Sequence, residues 1–154
     1  MYILIEELVC GFYKVTKMYI KNDDKEYRYE NNLAFSCQYH VIFCPKYRRR
    51  VLDDDVAKDL AHIIYENQEK YKYKVLELEI MPDHVHLLLD VSPKVGVFVV
   101  ICKIKGLSSR FLREKYESIR KRLPTLWTRS SFISTVGAVS LSVVKNYIEN
   151  QKTV

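Results

Sequence analysis

An α+β fold, built as an antiparallel sheet with helices on one face, is what this sequence predicts. Three observations lead there. A long aromatic and β-branched run occupies residues 33–43, two alternating runs at 73–80 and 84–91 are separated only by a turn, and two segments of helical period bracket that pair.

The elements follow in order. LAFSCQYHVIF, from Leu33 to Phe43, is long enough for one extended core strand. After the cationic run KYRRR, Asp53, Asp54 and Asp55 supply the acidic residues that suit a helix N-terminus. Val56, Leu60, Ile63, Ile64 and Asn67 then recur at helical spacing, predicting an amphipathic helix to about Tyr71. YKVLELEI sets Val75, Glu77 and Glu79 against Leu76, Leu78 and Ile80, the period of a half-buried strand. Pro82 and Asp83 make a turn. In HVHLLLDV, Val85, Leu87, Leu89 and Val91 share one face, while His84, His86, Leu88 and Asp90 share the other, so the two runs form a hairpin.

Beyond Pro93, VGVFVVICKIKGLSSRFLREKY reads as a second helix, weakened in its middle by Gly106. TLWTRSSFISTV is a fourth strand ended by Gly137, and LSVVKNYIENQ is a short C-terminal helix. The order β-α-β-β-α-β-α is the split arrangement of a ferredoxin-like (RRM-like) fold with one added helix.

At 154 residues the chain fits one domain with a sizeable core. Residues 31–154 are read as that domain. Residues 1–30 form an extension of uncertain structure, because the apolar opening gives way to KNDDKEYRYENN without a clean period, and Met18 is a candidate alternative start. A net charge of +6 favours a polyanionic partner, without separating DNA, RNA and anionic membrane surfaces. No run is long enough to span a bilayer, and Glu6 and Glu7 interrupt the apolar opening, so it does not read as a signal peptide. Cys10, Cys37, Cys44 and Cys102 contain no CxxC pair, which points to reduced thiols and a cytoplasmic protein.

Chemistry concentrates in two places. On a strand, residues two apart project from one face about 7 Å apart, so His84 and His86 can converge on one ion while Val85 anchors the strand. An isolated H-x-H pair is more often ordinary strand histidine; His40 and His62 lack such pairing and read as structural or surface residues. Two imidazoles need a third donor, for which Gln151 is a candidate, one helical turn beyond Tyr147. On spacing alone Tyr147 reads as a shoulder of the buried face. A tyrosine is nevertheless a chemically suitable nucleophile where a strand must be cut and resealed without a nucleotide cofactor. With a phenol pKa near 10, it needs a metal to activate the phosphate, magnesium or manganese best, with zinc not excluded.

Two cationic groups could meet a nucleic acid. Lys46, Tyr47, Arg48, Arg49 and Arg50 combine four charges with an aromatic ring, suited to phosphate contact and base stacking. Lys105, Ser108, Ser109 and Arg110, with Lys103, offer a second set on the second helix; Arg129 and the run Arg120, Lys121, Arg122 are weaker candidates. Each group alone is more often a solvated face.

Taken together, PKYRRRVL, MPDHVHLLLDVSP, KGLSSRFL, LW with STVG, and VVKNYIENQ resemble the HUH-class transposases with a single catalytic tyrosine, which serve insertion sequences that move as single-stranded DNA and are similar to the REP-associated tyrosine transposases. The resemblance covers about residue 33 to residue 151. It implies a ferredoxin-like fold, an obligate homodimer joining two sheets, and recognition of DNA hairpins near the element ends. It also implies that His84, His86 and Gln151 bind the metal beside Tyr147, often with the tyrosine helix of one subunit serving the histidines of the other. The first thirty residues have no counterpart in this pattern, and the last helix begins Leu141, Ser142 where acidic residues are common. Two other functions fit the same residues: a non-catalytic single-stranded nucleic-acid-binding module, and a metal-dependent hydrolase of small phosphate esters.

Overall fold

The structure is a computed structural model and describes residues 7–10, 13–16 and 27–136. The chain divides into two compact units, 1–34 and 35–154. In the first, β1 (Glu7–Cys10) pairs antiparallel with β2 (Tyr13–Thr16). A second small hairpin joins β3 (Arg28–Glu30) to β4 (Leu33–Phe35), turning at Asn31, whose φ of 53° is a conformation asparagine tolerates.

The extended strand expected over 33–43 is therefore two strands. Ser36 and Cys37 interrupt it, and β5 begins at Gln38 and runs to Phe43. The break has a local cause. Cys37 donates its backbone N–H to the Asp90 carboxylate at 3.0 Å, so this amide is satisfied by a side chain.

The second unit continues with α1 (Asp54–Glu66), β6 (Tyr73–Met81), β7 (His84–Val91), α2 (Val97–Lys115), α3 (Glu117–Arg122) and β8 (Phe132–Thr135). The sheet order is β6-β7-β5-β8 with every pairing antiparallel. Counted along this unit, that is strand order 2-3-1-4, the ferredoxin-like arrangement read from the sequence.

Asp53 caps α1, its carboxylate accepting from Val56 N at 3.3 Å, and Asp54 and Asp55 fill the first turn as the acidic run predicts. The helix stops at Glu66, short of Tyr71; residues 67–72 turn the chain, with Lys72 at φ 58°, and Tyr73 ties back by donating its hydroxyl to Ile64 O. Gly96, at φ 84°, precedes α2, where a side chain would be strained.

Helices and sheet share one core. Val56, Leu60 and Ile64 of α1 and Val100, Ile101 and Ile104 of α2 pack with Val41, Phe43, Val85, Leu87, Leu89 and Val91. All four predicted core residues of β7 are buried, and the alternation holds from His84 to Leu89; at the strand's end Asp90, read on the outer face, is buried as well. In β6 it does not. A β-bulge between Val75 and Glu77 takes Leu76 out of the ladder and leaves it 39% exposed; Val75 packs on the core instead, together with Leu78 and Ile80.

The predicted fourth strand is confined to Phe132–Thr135. Its expected beginning folds inward: Leu126 and Trp127 are buried, the indole meets Phe43 edge-on at 4.8 Å, and Trp127 bridges Pro45. The short α3 was not anticipated. The C-terminal helix predicted beyond Gly137, with Tyr147 and Gln151, lies outside the described residues. Among the described residues no helix is long and apolar enough to cross a membrane.

Candidate metal centre and nucleic-acid interface

Because Val85 and Leu87 point into the core, His84 and His86 project from the opposite face of β7. Their rings stand 4.9 Å apart, edge to face. His84 Nδ1 lies 2.6 Å from Asp83 Oδ1. An ionised carboxylate only accepts, so the imidazole donates from Nδ1 and its Nε2 carries the lone pair. The hydrogen bond from His84 holds the Asp83 carboxyl below its ordinary range, helped by the nearby Arg48 charge.

His86 has a partner that the sequence reading left aside. His40, on β5, shares the histidine face because its neighbours Val41 and Phe43 turn to the core. Its Nε2 is 3.1 Å from His86 Nδ1, and the two rings stack at 5.4 Å. The parity of β5 announces that face; which β7 residue it meets depends on the register, which pairs Ile42 with His86 and so sets His40 diagonally beside it.

The first cationic group is fixed next to this pair. Lys46–Arg48 forms a single 3-10 turn, within which Tyr47 and Arg48 adopt φ of 61° and 49°. Two successive left-handed non-glycine residues cost on the order of 1–2 kcal/mol each. Backbone bonds offset this: Lys46 N to Leu126 O at 2.8 Å and Arg48 N to Pro45 O at 2.9 Å. Val51 and Leu52 donate their amides to Pro82 O, both at 3.1 Å, and Arg48 reaches Asp83 Oδ2 at 3.0 Å. The segment is thus stitched to the β6–β7 turn. Tyr47 is left 68% exposed under the Lys46 ammonium, and Arg49 and Arg50 are exposed as well.

The second group needs correction. Ser108 is fully buried, donating to Ile104 O at 2.6 Å and accepting from Trp127 Nε1 at 3.0 Å, so its hydroxyl is not available to a nucleic acid. Lys105 turns its ammonium onto Arg129 O (3.4 Å), Ser130 O (3.2 Å) and Ser131 Oγ (3.0 Å), clamping the loop before β8, and partial burial pulls its pKa down. Ser109 is half-buried, whereas Arg110 and Arg129 remain exposed. A groove of about 480 Å³ lined by Arg50, Asp53, Asp54, Ala57 and Ile80, among others, includes neither histidine.

Glu79 stands across the ladder from His86, yet among the described residues no three His, Cys, Asp or Glu groups come together to hold an ion. The donor chemistry still fits a divalent ion. Two imidazoles on one face have their Nδ1 atoms engaged, and among the described residues neither Nε2 has a hydrogen-bond partner. Tyr147 and Gln151, the expected nucleophile and third donor, fall outside the described residues.

A 2-3-1-4 antiparallel sheet whose histidine pair lies on the face turned away from α1 and α2, with a cationic turn beside it, gives the chain a ferredoxin-like build, and solved structures share that build. A Deinococcus radiodurans protein assigned as a transposase, solved at 1.90 Å, superposes with a TM-score of 0.64 at 31% identity, covering 80% of this chain and 97% of that one. The chain belongs to the IS200-like transposase family, whose model matches residues 33–151. It is 34% identical over 120 residues to the ISDra2 transposase TnpA of Deinococcus radiodurans, covering 77% of this chain and 86% of that protein. Identity to the transposase for insertion sequence element IS200 of Salmonella typhimurium is 32% over 127 residues, covering 79% and 83%. The fold is also shared, at a TM-score of 0.50 and 14% identity over 82% of this chain and 67% of the other, with a REP-associated tyrosine transposase bound to a REP hairpin.

Proposed function

We propose that this transposase cleaves and rejoins single-stranded DNA at insertion-sequence ends through a 5′-phosphotyrosine intermediate on Tyr147. The reading rests chiefly on one observation: His84 and His86 share a strand face with both Nδ1 atoms engaged, beside the Lys46–Arg48 turn. His84, His86 and Gln151 would hold a divalent metal, magnesium or manganese, whose chemistry when bound is to polarise the scissile phosphate.

The chain's own residues do the rest. Lys46, Arg48, Arg49 and Arg50 bind backbone phosphates, and Tyr47 offers an exposed face for base stacking. The Tyr147 phenolate forms a bond to phosphorus as the bond to the sugar 3′-oxygen breaks, and the departing 3′-hydroxyl takes up a proton. The phosphotyrosine ester keeps that bond energy, so a 3′-hydroxyl returning along the same line reseals the strand and releases the phenol. The substrates are single strands with hairpins at the element ends, in keeping with the hairpin held by the REP-associated relative. The working unit is a homodimer in the cytoplasm, with the two active sites shared between subunits.

Incubation of the full chain with a hairpin-bearing single strand and manganese, followed by denaturing electrophoresis, tests this. A covalent protein–DNA adduct is expected, and Tyr147→Phe abolishes it. Salt-sensitive binding without any adduct would identify a binding module instead.

A further inference from the structure

Resting on the metal reading just proposed, we infer that His40 and Asp83 are positioning residues that fix the tautomers of His86 and His84, so that both Nε2 atoms present lone pairs on the same face of β7. The observation is symmetrical. Each histidine of the pair has its Nδ1 held by a side chain from a different place in the chain: His84 by Asp83 at 2.6 Å, and His86 by His40 at 3.1 Å.

A neutral imidazole carries one proton, and a nitrogen that carries it has no lone pair for an ion. Asp83 decides the matter for His84, because a carboxylate can only accept. For His86 the contact allows two arrangements. If His40 donates from Nε2, the His86 proton moves to its own Nε2 and that nitrogen cannot ligate. If His86 donates from Nδ1, His40 accepts and keeps its proton on Nδ1. The near-parallel rings, 11° apart in plane, hold the two nitrogens in reach for either arrangement, and only the second leaves His86 Nε2 a lone pair for an ion.

Arg48 extends the arrangement on the other side. It binds the second oxygen of Asp83 at 3.0 Å, so the carboxylate is steadied from the cationic turn while its first oxygen serves His84. Partners of this kind orient ligating imidazoles and fix their tautomers, and their loss commonly costs about 10–100-fold in metal affinity.

Two measurements test the inference. Two-bond ¹H–¹⁵N correlation spectra of the metal-free wild-type protein, above the range in which imidazoles protonate, report which nitrogen bears the proton. His40, His84 and His86 are all expected as Nδ1–H tautomers, and an Nε2–H signal from His84 or His86 overturns the assignment without reference to any metal. Calorimetric titration of metal-free protein with Mn²⁺ is the second. His40→Ala and Asp83→Ala are each expected to weaken binding by about tenfold or more, whereas His40→Gln, which returns an acceptor oxygen, recovers most of it. If the wild type binds Mn²⁺ and both alanine variants bind equally well, the positioning roles are wrong and the metal reading stands. If the wild type binds no Mn²⁺, the metal reading falls and this inference with it.

Discussion

Trp127 donates its indole N–H to the hydroxyl oxygen of Ser108 at 3.0 Å, and the Ser108 hydroxyl in turn donates to Ile104 O at 2.6 Å, all inside the core. A buried donor deprived of its acceptor costs about 1–3 kcal/mol. Ser108→Ala is therefore expected to lower unfolding stability by that amount in urea titrations, with the salt dependence of DNA binding unchanged. A variant of undiminished stability but weakened DNA binding would return Ser108 to the interface.

Arg48 is a different case, because its side chain is 67% exposed and its bond to Asp83 lies at the surface. Pairs of this kind contribute about 0–1 kcal/mol, so Arg48→Gln should barely move the unfolding midpoint. Its effect belongs to binding. If Arg48 meets a phosphate, the slope of log K against log salt for a single strand shrinks by about 0.7. Fluorescence anisotropy over a salt series reads this directly, and an unaltered slope removes Arg48 from the contact set.

Gly106 sits within α2, and among the described residues nothing lies within 4 Å of where a Cβ would stand. Replacing a helical glycine with alanine at an unobstructed position stabilises by roughly 0.5–1 kcal/mol. Gly106→Ala should raise the thermal midpoint of the free protein. A fall would mean that the helix surface at this point is not open.

Acid stability has a local contributor at the junction of the helices. Asp59 accepts from the Tyr116 hydroxyl and the Lys115 ammonium, both at 2.7 Å, and these bonds, the lysine's first, pull its carboxyl below the usual aspartate range. A depressed folded value means the contribution is complete above the ordinary aspartate pKa and is lost as pH falls through the lowered one. Asp59→Asn should flatten the decline of stability in that acid window. Chemical unfolding from neutral pH down to pH 3 measures it, and a slope identical to wild type would show that the contact adds nothing.

Local periodicity told much of this fold because burial follows parity. Val85, Leu87, Leu89 and Val91 alternate with His84, His86 and Leu88, and that pattern alone puts the histidines on the far side of the sheet from the helices. The acidic start of α1 and its stripe of Val56, Leu60 and Ile64 were equally readable. The bulge at Leu76 was not, since it changes the ladder without changing the residue pattern. Nor were the partners of the site. His40 meets His86 from 46 residues away and Arg48 meets Asp83 from 35, distances at which only strand register and turn docking decide neighbours. Ser108 misled for the opposite reason: a polar residue among lysines reads as surface, yet its helical position points it at Trp127.

The histidine-bearing strand is bonded on both flanks, to β6 and to β5, while β6 and β8 form the rims of the sheet among the described residues. Rims fray at a small free-energy cost, and a doubly laddered strand opens only when the whole domain melts. Warmed toward its midpoint, the molecule can therefore loosen at its borders and still keep two imidazoles at one spacing, so a heated sample should lose this pair abruptly and late.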